Sequence, residues 1–544
     1  MSVIQRIEYR LARVPSETVR WLVILALLMV QSLNLHKATT YDRLVGSSYD
    51  TLLRKRIVSP HLDQSIVILD IDERSLNKMA AEYGRWPWPR DTLASVLDYL
   101  ERSGVKAVVF DILFSDADVI NQVADATFAD SVSRSQSAFF PVLRLDQSLD
   151  QVSEVDATML PGFAMRFGEI SDISKPDSSA PKLAVIPPVF DAVVSTGRMG
   201  FHNIYPDIDG VNRHYRLWED VPGSWRLNSL PARMAQTFGW RLPVEPNQLL
   251  SFQLKPDAYP SLSFFDIWVA SQRRDAGKFA TEFKDKIVII GSTAPNLYDI
   301  KVTPLSPMQP GVQVLANAID NVKNSSFLQT LDKSTQWLIG AVLLILMAYG
   351  SKKLPVTTMR WAILLAPSAL IGISFLTLNF GKVFVDLTAA ASQAFVFFTV
   401  MTVYAAWRIQ IFSAPAKPLG DENVCISVVF GAKSTPLNLN ETIDALTQIS
   451  RNFAVVQSGF TAGTTVGAGG PFCAVLLSLN PISQEQIRST LCISGDAPFM
   501  METSPVGTKH SENSSFKDAR ADFAWPLIGK ALVTWEKKNE VRSS

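Results

Sequence analysis

Apolar positions along the chain follow two rhythms. Long continuous runs occur at 21–35 (WLVILALLMVQSLNL), 337–349, 361–378 and 383–407. Each approaches the ~20 residues that an α-helix needs to cross ~30 Å of hydrocarbon. Trp21, Trp337, Trp361 and Trp407 stand at the ends of these runs, where an amphipathic ring favours the headgroup region. Between the first and second runs the rhythm shortens. Residues 65–70 (SIVILD) form a brief apolar run ending in a carboxylate, which predicts a buried strand. Leu93, Val96, Leu97 and Leu100 then recur at helical spacing over 91–103, with Asp91 placed to cap the helix and Gly104 to stop it. A second strand is predicted at 107–111 and a third at 286–291, followed by a helix from 312 to 319 leading towards the next long run. This β-α-β order implies an α/β domain with a parallel or mixed sheet.

The long runs divide the chain and give it an expected orientation. The first contains Gln31, Ser32 and Asn34 and follows Arg6, Arg10, Arg13 and Arg20, flanks that a cleaved signal peptide would share. The next residues, 36–40 (HKATT), hold no small-x-small cleavage site, so an uncleaved anchor at 21–36 is expected. Lys and Arg accumulate on the cytoplasmic side of spanning helices. Residues 1–20 are therefore expected in the cytoplasm, and residues 37–334 in the periplasmic or extracellular space. The second helix (335–350) returns the chain to Lys352, Lys353 and Arg360 inside, and the third (361–378) leads to the outer turn 379–382. The fourth (383–407) ends at Arg408, so 420–544 is expected in the cytoplasm. The fourth run carries one charge, Asp386, near its outer start, where a carboxylate can reach water.

Composition agrees with this plan. The 544 residues are 47% apolar and 19% charged, with mean hydropathy +0.14, against about 25% charged residues in soluble domains. Lys plus Arg equal Asp plus Glu at 51 each, so no basic field exists to hold nucleic acid. The three cysteines, Cys425, Cys473 and Cys492, all follow residue 424. A disulfide framework is thus excluded from the outer region, and the thiols fall on the expected reducing side.

Six motifs make the outer region specific: 68–76 (ILDIDERSL), 84–90 (GRWPWPR), 108–114 (VVFDILF), 200–210 (GFHNIYPDIDG), 286–292 (KIVIIGS) and 311–318 (GVQVLANA). In order and spacing they resemble the CHASE2 family of extracytoplasmic sensor domains, over roughly 40–330. One helix before the domain and three after it also match receptors of that bacterial family. The resemblance implies a sensor joined to a cytoplasmic output module, often a nucleotide cyclase, protein kinase or histidine kinase.

Candidate ligand-binding residues lie where open α/β sheets bind, at strand ends. Asp70, Asp72, Glu73 and Asp111 sit there and can accept bonds from a polar ligand or hold a divalent cation; alternatively they cap helices and pair with Arg74, Arg85 and Arg90. Arg85, Trp86 and Arg90 lie in a double-proline segment that reads as a rigid packed loop, or as an aromatic wall with an anion-binding guanidinium. Asp207 to Gly210 lacks the later ligands of a calcium loop and reads as a tight turn. His36, His61, His202 and His214 are scattered, and no catalytic set accompanies them, so neither metal nor cofactor is expected.

The tail lacks the enzymes the resemblance implies. Strand 424–430 offers no carboxylate for a cyclase's metal ions, no kinase loop set occurs, and the single tail histidine, His510, lies in a polar run. Strands are predicted at 424–430, 453–456 and 474–478, with helices over 438–449 and 481–490. The glycine-rich stretch 459–470 lacks the spacing of a nucleotide loop and reads as a flexible turn.

The expected fold class is an α/β extracytoplasmic sensor domain, four transmembrane helices and a small α/β or α+β cytoplasmic domain. The expected function is a multi-pass inner-membrane sensor whose non-catalytic tail regulates a cytosolic signalling protein. Its remaining partners are an unknown outer ligand and the lipid bilayer, and the expected assembly is a homodimer. A nucleotide-dependent enzyme in the tail and a structural membrane scaffold are the alternatives.

Overall fold

Period-two alternation in three short strands sends apolar side chains to both faces of one sheet. Such strands are stable only when helices cover both faces. The computed structural model realises this arrangement. It describes residues 7–8, 11–36, 40–166, 180–255, 257–273, 280–297, 299–354, 356–381, 383–413, 424–431, 452–456, 472–478, 485 and 499–506. Two compact units divide the chain. One comprises Ala38–Asp332 with Ile373–Asp386, and the other Met1–Lys37, Lys333–Gly372 and Leu387–Ser544.

The first unit opens with α1 (Thr40–Arg54) and β1 (Ile66–Asp70), then α2 (Glu73–Tyr83), α3 (Asp91–Arg102) and β2 (Ala107–Phe110). Next come α4 (Gln122–Arg134), β3 (Ala138–Arg144), β4 (Val185–Ile186), β5 (Met199–Phe201) and β6 (His214–Arg216). The unit continues through α5 (Leu230–Phe238), β7 (Asn247–Leu249), β8 (Ser261–Ser263), α6 (Phe264–Gln272), β9 (Ile287–Gly291) and α7 (Gly311–Lys323). The main sheet runs β8-β1-β9-β2-β3-β4, with β5 also on β3. Every pairing is parallel except that of β3 with β4.

Alternation divides the core in two. Val67, Leu69, Val108, Phe110, Val288 and Ile290 pack under α3, α4 and α6, with Leu93, Leu97, Phe128 and Phe264. Ile66, Ile68, Val109, Ile287 and Ile289 face the other way, onto α1, α5 and α7, with Leu53, Leu230, Val312 and Ile319. One smaller detail differs from the sequence reading and another agrees with it. Arg90 takes the cap position of α3 without a side-chain cap bond, and Asp91 is the first helical residue. The turn at Asp207 closes through a Gly210 N–H bond of 2.8 Å, and with Asp209 it holds Arg213.

The unit also includes the segment between the last two long helices. Strand β10 (Gln329–Thr330) pairs in parallel with β11 (Val383–Phe384). The Asn379 side-chain oxygen accepts the backbone N–H groups of Ile57 and Val58, at 2.8 and 3.2 Å. Phe384 meets the Tyr49 ring edge-on, with centroids 5.3 Å apart.

Among the described residues, four helices are long and apolar enough to span a membrane: Ser16–His36, Lys333–Gly350, Val356–Phe380 and Thr388–Ser413. The expected fourth helix from 383 is corrected. Val383 and Phe384 are a strand, helix begins at Thr388, and Asp386 precedes it. Gln31, whose polarity weakened the sequence signal, donates to the Trp337 carbonyl at 3.0 Å and accepts from Gln393 at 3.1 Å. Such bonds tie helices together where water is absent.

In the tail, β12 (Val424–Gly431), β13 (Asn452–Val456), β14 (Phe472–Ser478) and β15 (Phe499–Val506) form one antiparallel sheet in the order β13-β14-β12-β15. Three of these strands were expected; β15 was not. The helices predicted over 438–449 and 481–490, the 459–470 stretch and His510 lie outside the described residues, apart from the single position 485.

Candidate functional site

Parallel strands end together, so their carboxyl ends bring separate sequence motifs to one edge. At this edge, residues two beyond a core position keep its facing. Asp70 follows Ile66 and Ile68, and Asp111 follows Ala107 and Val109, so both carboxylates turn to the α7 side. Gly291 occupies the matching place on β9, between them. A Cβ there would lie 2.7 Å from Val312 and 3.2 Å from the Asp111 Cβ. The glycine therefore lets the first turn of α7 descend onto the sheet edge between the two acids.

Asp70 is satisfied internally. It accepts the Thr293 N–H at 2.8 Å and the Thr293 hydroxyl at 2.5 Å. Burial, the largest influence, raises its pKa, and these bonds oppose the rise. Asp72 caps α2, accepting the Ser75 N–H at 2.7 Å and hydroxyls from Ser75 and Ser263 at 2.6 and 3.0 Å. Glu73 is exposed and accepts from Asn296 at 3.0 Å.

The double-proline segment stands on the opposite face of the sheet. Trp88 is buried against Phe264, and half-buried Trp86 meets it edge-on at 4.9 Å. Arg90 pairs with Asp125 at 2.6 Å and covers the Phe190 ring at 5.3 Å, so its charge is already engaged. Arg85 is exposed. The seven candidates thus fall into three places: Asp70 with Asp72 and Glu73 beyond β1, Asp111 beyond β2, and Arg85, Trp86 and Arg90 before α3.

Asp111 has the most unusual surroundings. Its side chain is 11% exposed, and His202 Nδ1 lies 3.7 Å from its carboxylate, too far for a hydrogen bond. Burial and the nearby negative charge of Asp299 push the Asp111 pKa up to about 7. Burial lowers His202 to about 4, partly offset by Asp299. The Tyr215 residue on β6 is 1% exposed, and its hydroxyl has no hydrogen-bond partner among the described residues. Burial and the Asp111 charge both raise its pKa. The His202 Nδ1 atom is likewise buried without a hydrogen-bond partner among the described residues. Asp299 and Lys301, paired at 2.9 Å, border this cluster. The Asp299 carboxylate sits against Gly311, whose N–H donates to the Asp299 carbonyl at 2.9 Å.

His202, Tyr215, Asp299 and Lys301 were absent from the sequence-based candidates. His202 gave one signal, its place in the 200–210 motif, but scattered histidines suggested no partner. Nothing in the sequence near Tyr215 marks a buried hydroxyl. A concavity of about 690 Å³ opens elsewhere, between β7 and residues 325–330, lined by His214, Arg241, Glu245 and Phe327 among others. Its Arg241 and Glu245 are exposed.

One family model, described as CHASE2 domain, matches residues 19–350, more than half of the chain. No curated protein and no solved structure matches it.

Proposed function

The chain belongs to the CHASE2 domain family, and from that premise we propose that it is a membrane-bound receptor. The α/β unit detects a signal on the extracytoplasmic side of the cell inner membrane. The helices carry the change to the tail, which acts without catalysis by binding or releasing a cytosolic signalling protein.

One observation carries this reading: the α/β unit grips the chain on both sides of its long helices. Strand β10 enters the Lys333–Gly350 helix after two residues, and its partner β11 lies between the Val356–Phe380 and Thr388–Ser413 helices. Asn379 and Phe384 add bonds and packing to the same segment. A shift in the α/β unit would therefore displace more than one helix end at once, as a two-state transmitter requires.

Locking this junction tests the proposal. Gln329→Cys and Val383→Cys place thiols at directly paired positions in the full chain. With the tail cysteines carrying a fluorophore, oxidation of the engineered pair should change tail fluorescence and the set of cytosolic proteins retained. An identical response in locked and reduced forms would sink the transmitter reading.

A further inference from the structure

The edge beyond β2 contains more hydrogen-bonding capacity than the protein uses. Nearly all buried polar groups in folded proteins find partners, because leaving one unmet costs ~1–3 kcal/mol. Here, among the described residues, the Tyr215 hydroxyl and the His202 Nδ1 atom both lack one, beside an Asp111 carboxyl that burial disfavours as an anion. Asp111 and His202 directly follow β2 and β5 and Tyr215 lies on β6, and Gly291 and Gly311 hold the backbone of β9 and α7 close by. We propose that Asp111, His202 and Tyr215 form a binding site for a small uncharged, hydroxyl-bearing molecule, a polyol or sugar, at the carboxyl edge of the sheet. The proposal rests on the sensor reading above and names the class of signal.

Charge selects this class. Burial drives all three groups towards their neutral forms: the acid protonated, the imidazole and phenol uncharged. The adjacent charges, Asp299 and Lys301, cancel as a pair. An anion would gain nothing from Lys301, whose charge Asp299 already cancels, and a cation would have to force Asp111 to ionise in a poorly solvated place. A neutral polyol meets neither cost. Its hydroxyls both donate and accept, which suits a protonated carboxyl, an imidazole and a phenol together. The carboxyl edge of a parallel sheet is also where ligands of open α/β folds collect.

The test uses the purified full chain in lipid nanodiscs, with glycerol, D-glucose and maltose as neutral probes, and acetate and ethanolamine as charged ones. Thermal unfolding should shift upward and saturate with at least one neutral probe. Tyr215→Phe and Asp111→Asn should raise the half-saturating concentration at least tenfold. Tyr215→Phe should leave the unliganded melting temperature equal or higher, since it deletes an unmet hydroxyl. A rise that never saturates and is the same in all three proteins overturns the site. So does saturation by acetate or ethanolamine alone. So does a Tyr215→Phe variant that melts lower but binds normally, because its hydroxyl would then have an internal partner. Tail fluorescence separates the two proposals. Saturable binding without any tail response refutes the receptor reading and keeps the site. A tail response to envelope extract that survives Asp111→Asn refutes the site and keeps the receptor.

Discussion

Asp111 and His202 carry opposite proton balances, so together they flatten the pH dependence of stability. Native Asp111 keeps its proton up to about pH 7, whereas its ordinary value is 3.8. Between those values the folded state binds more protons than the unfolded state, and stability falls as pH rises. Native His202 gives up its proton down to about 4 instead of 6.5, so its contribution rises with pH across that window. Asp111→Asn should remove the falling part and leave the rising one. Urea midpoints should then climb more steeply from pH ~4 to ~6.5 in the variant than in the parent; parallel profiles would refute the assignment. Arg213 supports a separate prediction. Its side chain is 4% exposed and holds Asp50 at 2.7 Å, Asp207 at 3.0 Å and Asp209 at 2.7 Å. Arg213→Ala would strand the buried Asp50 charge and should cost ~3–5 kcal/mol in chemical unfolding; a loss under ~1 kcal/mol would disprove it. The sequence placed Asp70 and Asp111 at strand ends correctly, because period-two alternation and strand length are local. It could not bring Asp111 together with His202 or Tyr215, since that proximity depends on how distant segments fold against one another.

Glycines set the approach of elements to one another. A Cβ on Gly200 would come within 2.4 Å of the Leu230 nitrogen and the Ser229 carbonyl carbon. Gly200→Ala should therefore push β5 away from α5 and destabilise the fold by ~1–3 kcal/mol or more, whereas the exposed Gly84 touches nothing within 4 Å at its Cβ position. An unchanged melting temperature for Gly200→Ala would contradict this packing. Asn379→Ala removes the acceptor for two backbone donors at 57 and 58. It should weaken the tail's response to locking more than it lowers stability, as read by the fluorescence assay and unfolding side by side. Within the α/β unit β1, β2, β9, α3 and α7 were legible because their apolar periods are clear, whereas α1, α2, α4 to α6 and β3 to β8 were not read from the sequence. The exception at Val383 has a simple cause: its apolar residues run almost unbroken into a long helix, and hydropathy alone does not separate strand from helix. The cap of α3 was misplaced by one residue because Asp is as favourable in the first turn as at the cap itself.

At the scale of the whole molecule, the charge pattern predicts a sided protein. With the three native cysteines replaced by serine, Val119→Cys, at a position 79% exposed, should react with a membrane-impermeant maleimide on intact cells. Lys352→Cys should react only after permeabilisation, and the opposite pattern would invert the proposed orientation. The division into an α/β unit and long helices was visible in the two apolar rhythms. The inclusion of residues 373–386 in the α/β unit was not, because hydropathy records where chain can be buried and not what it is buried against. The β10–β11 pair also imposes an order of events on biosynthesis. Residues 329 and 330 are made early, but their partners at 383 and 384 emerge only after the two intervening helices have been synthesised. In the proposed topology this strand pair therefore cannot form until that helical pair has entered the bilayer and returned. An incorrectly inserted helical pair would leave the strands apart, with unpaired backbone for chaperones and proteases to recognise.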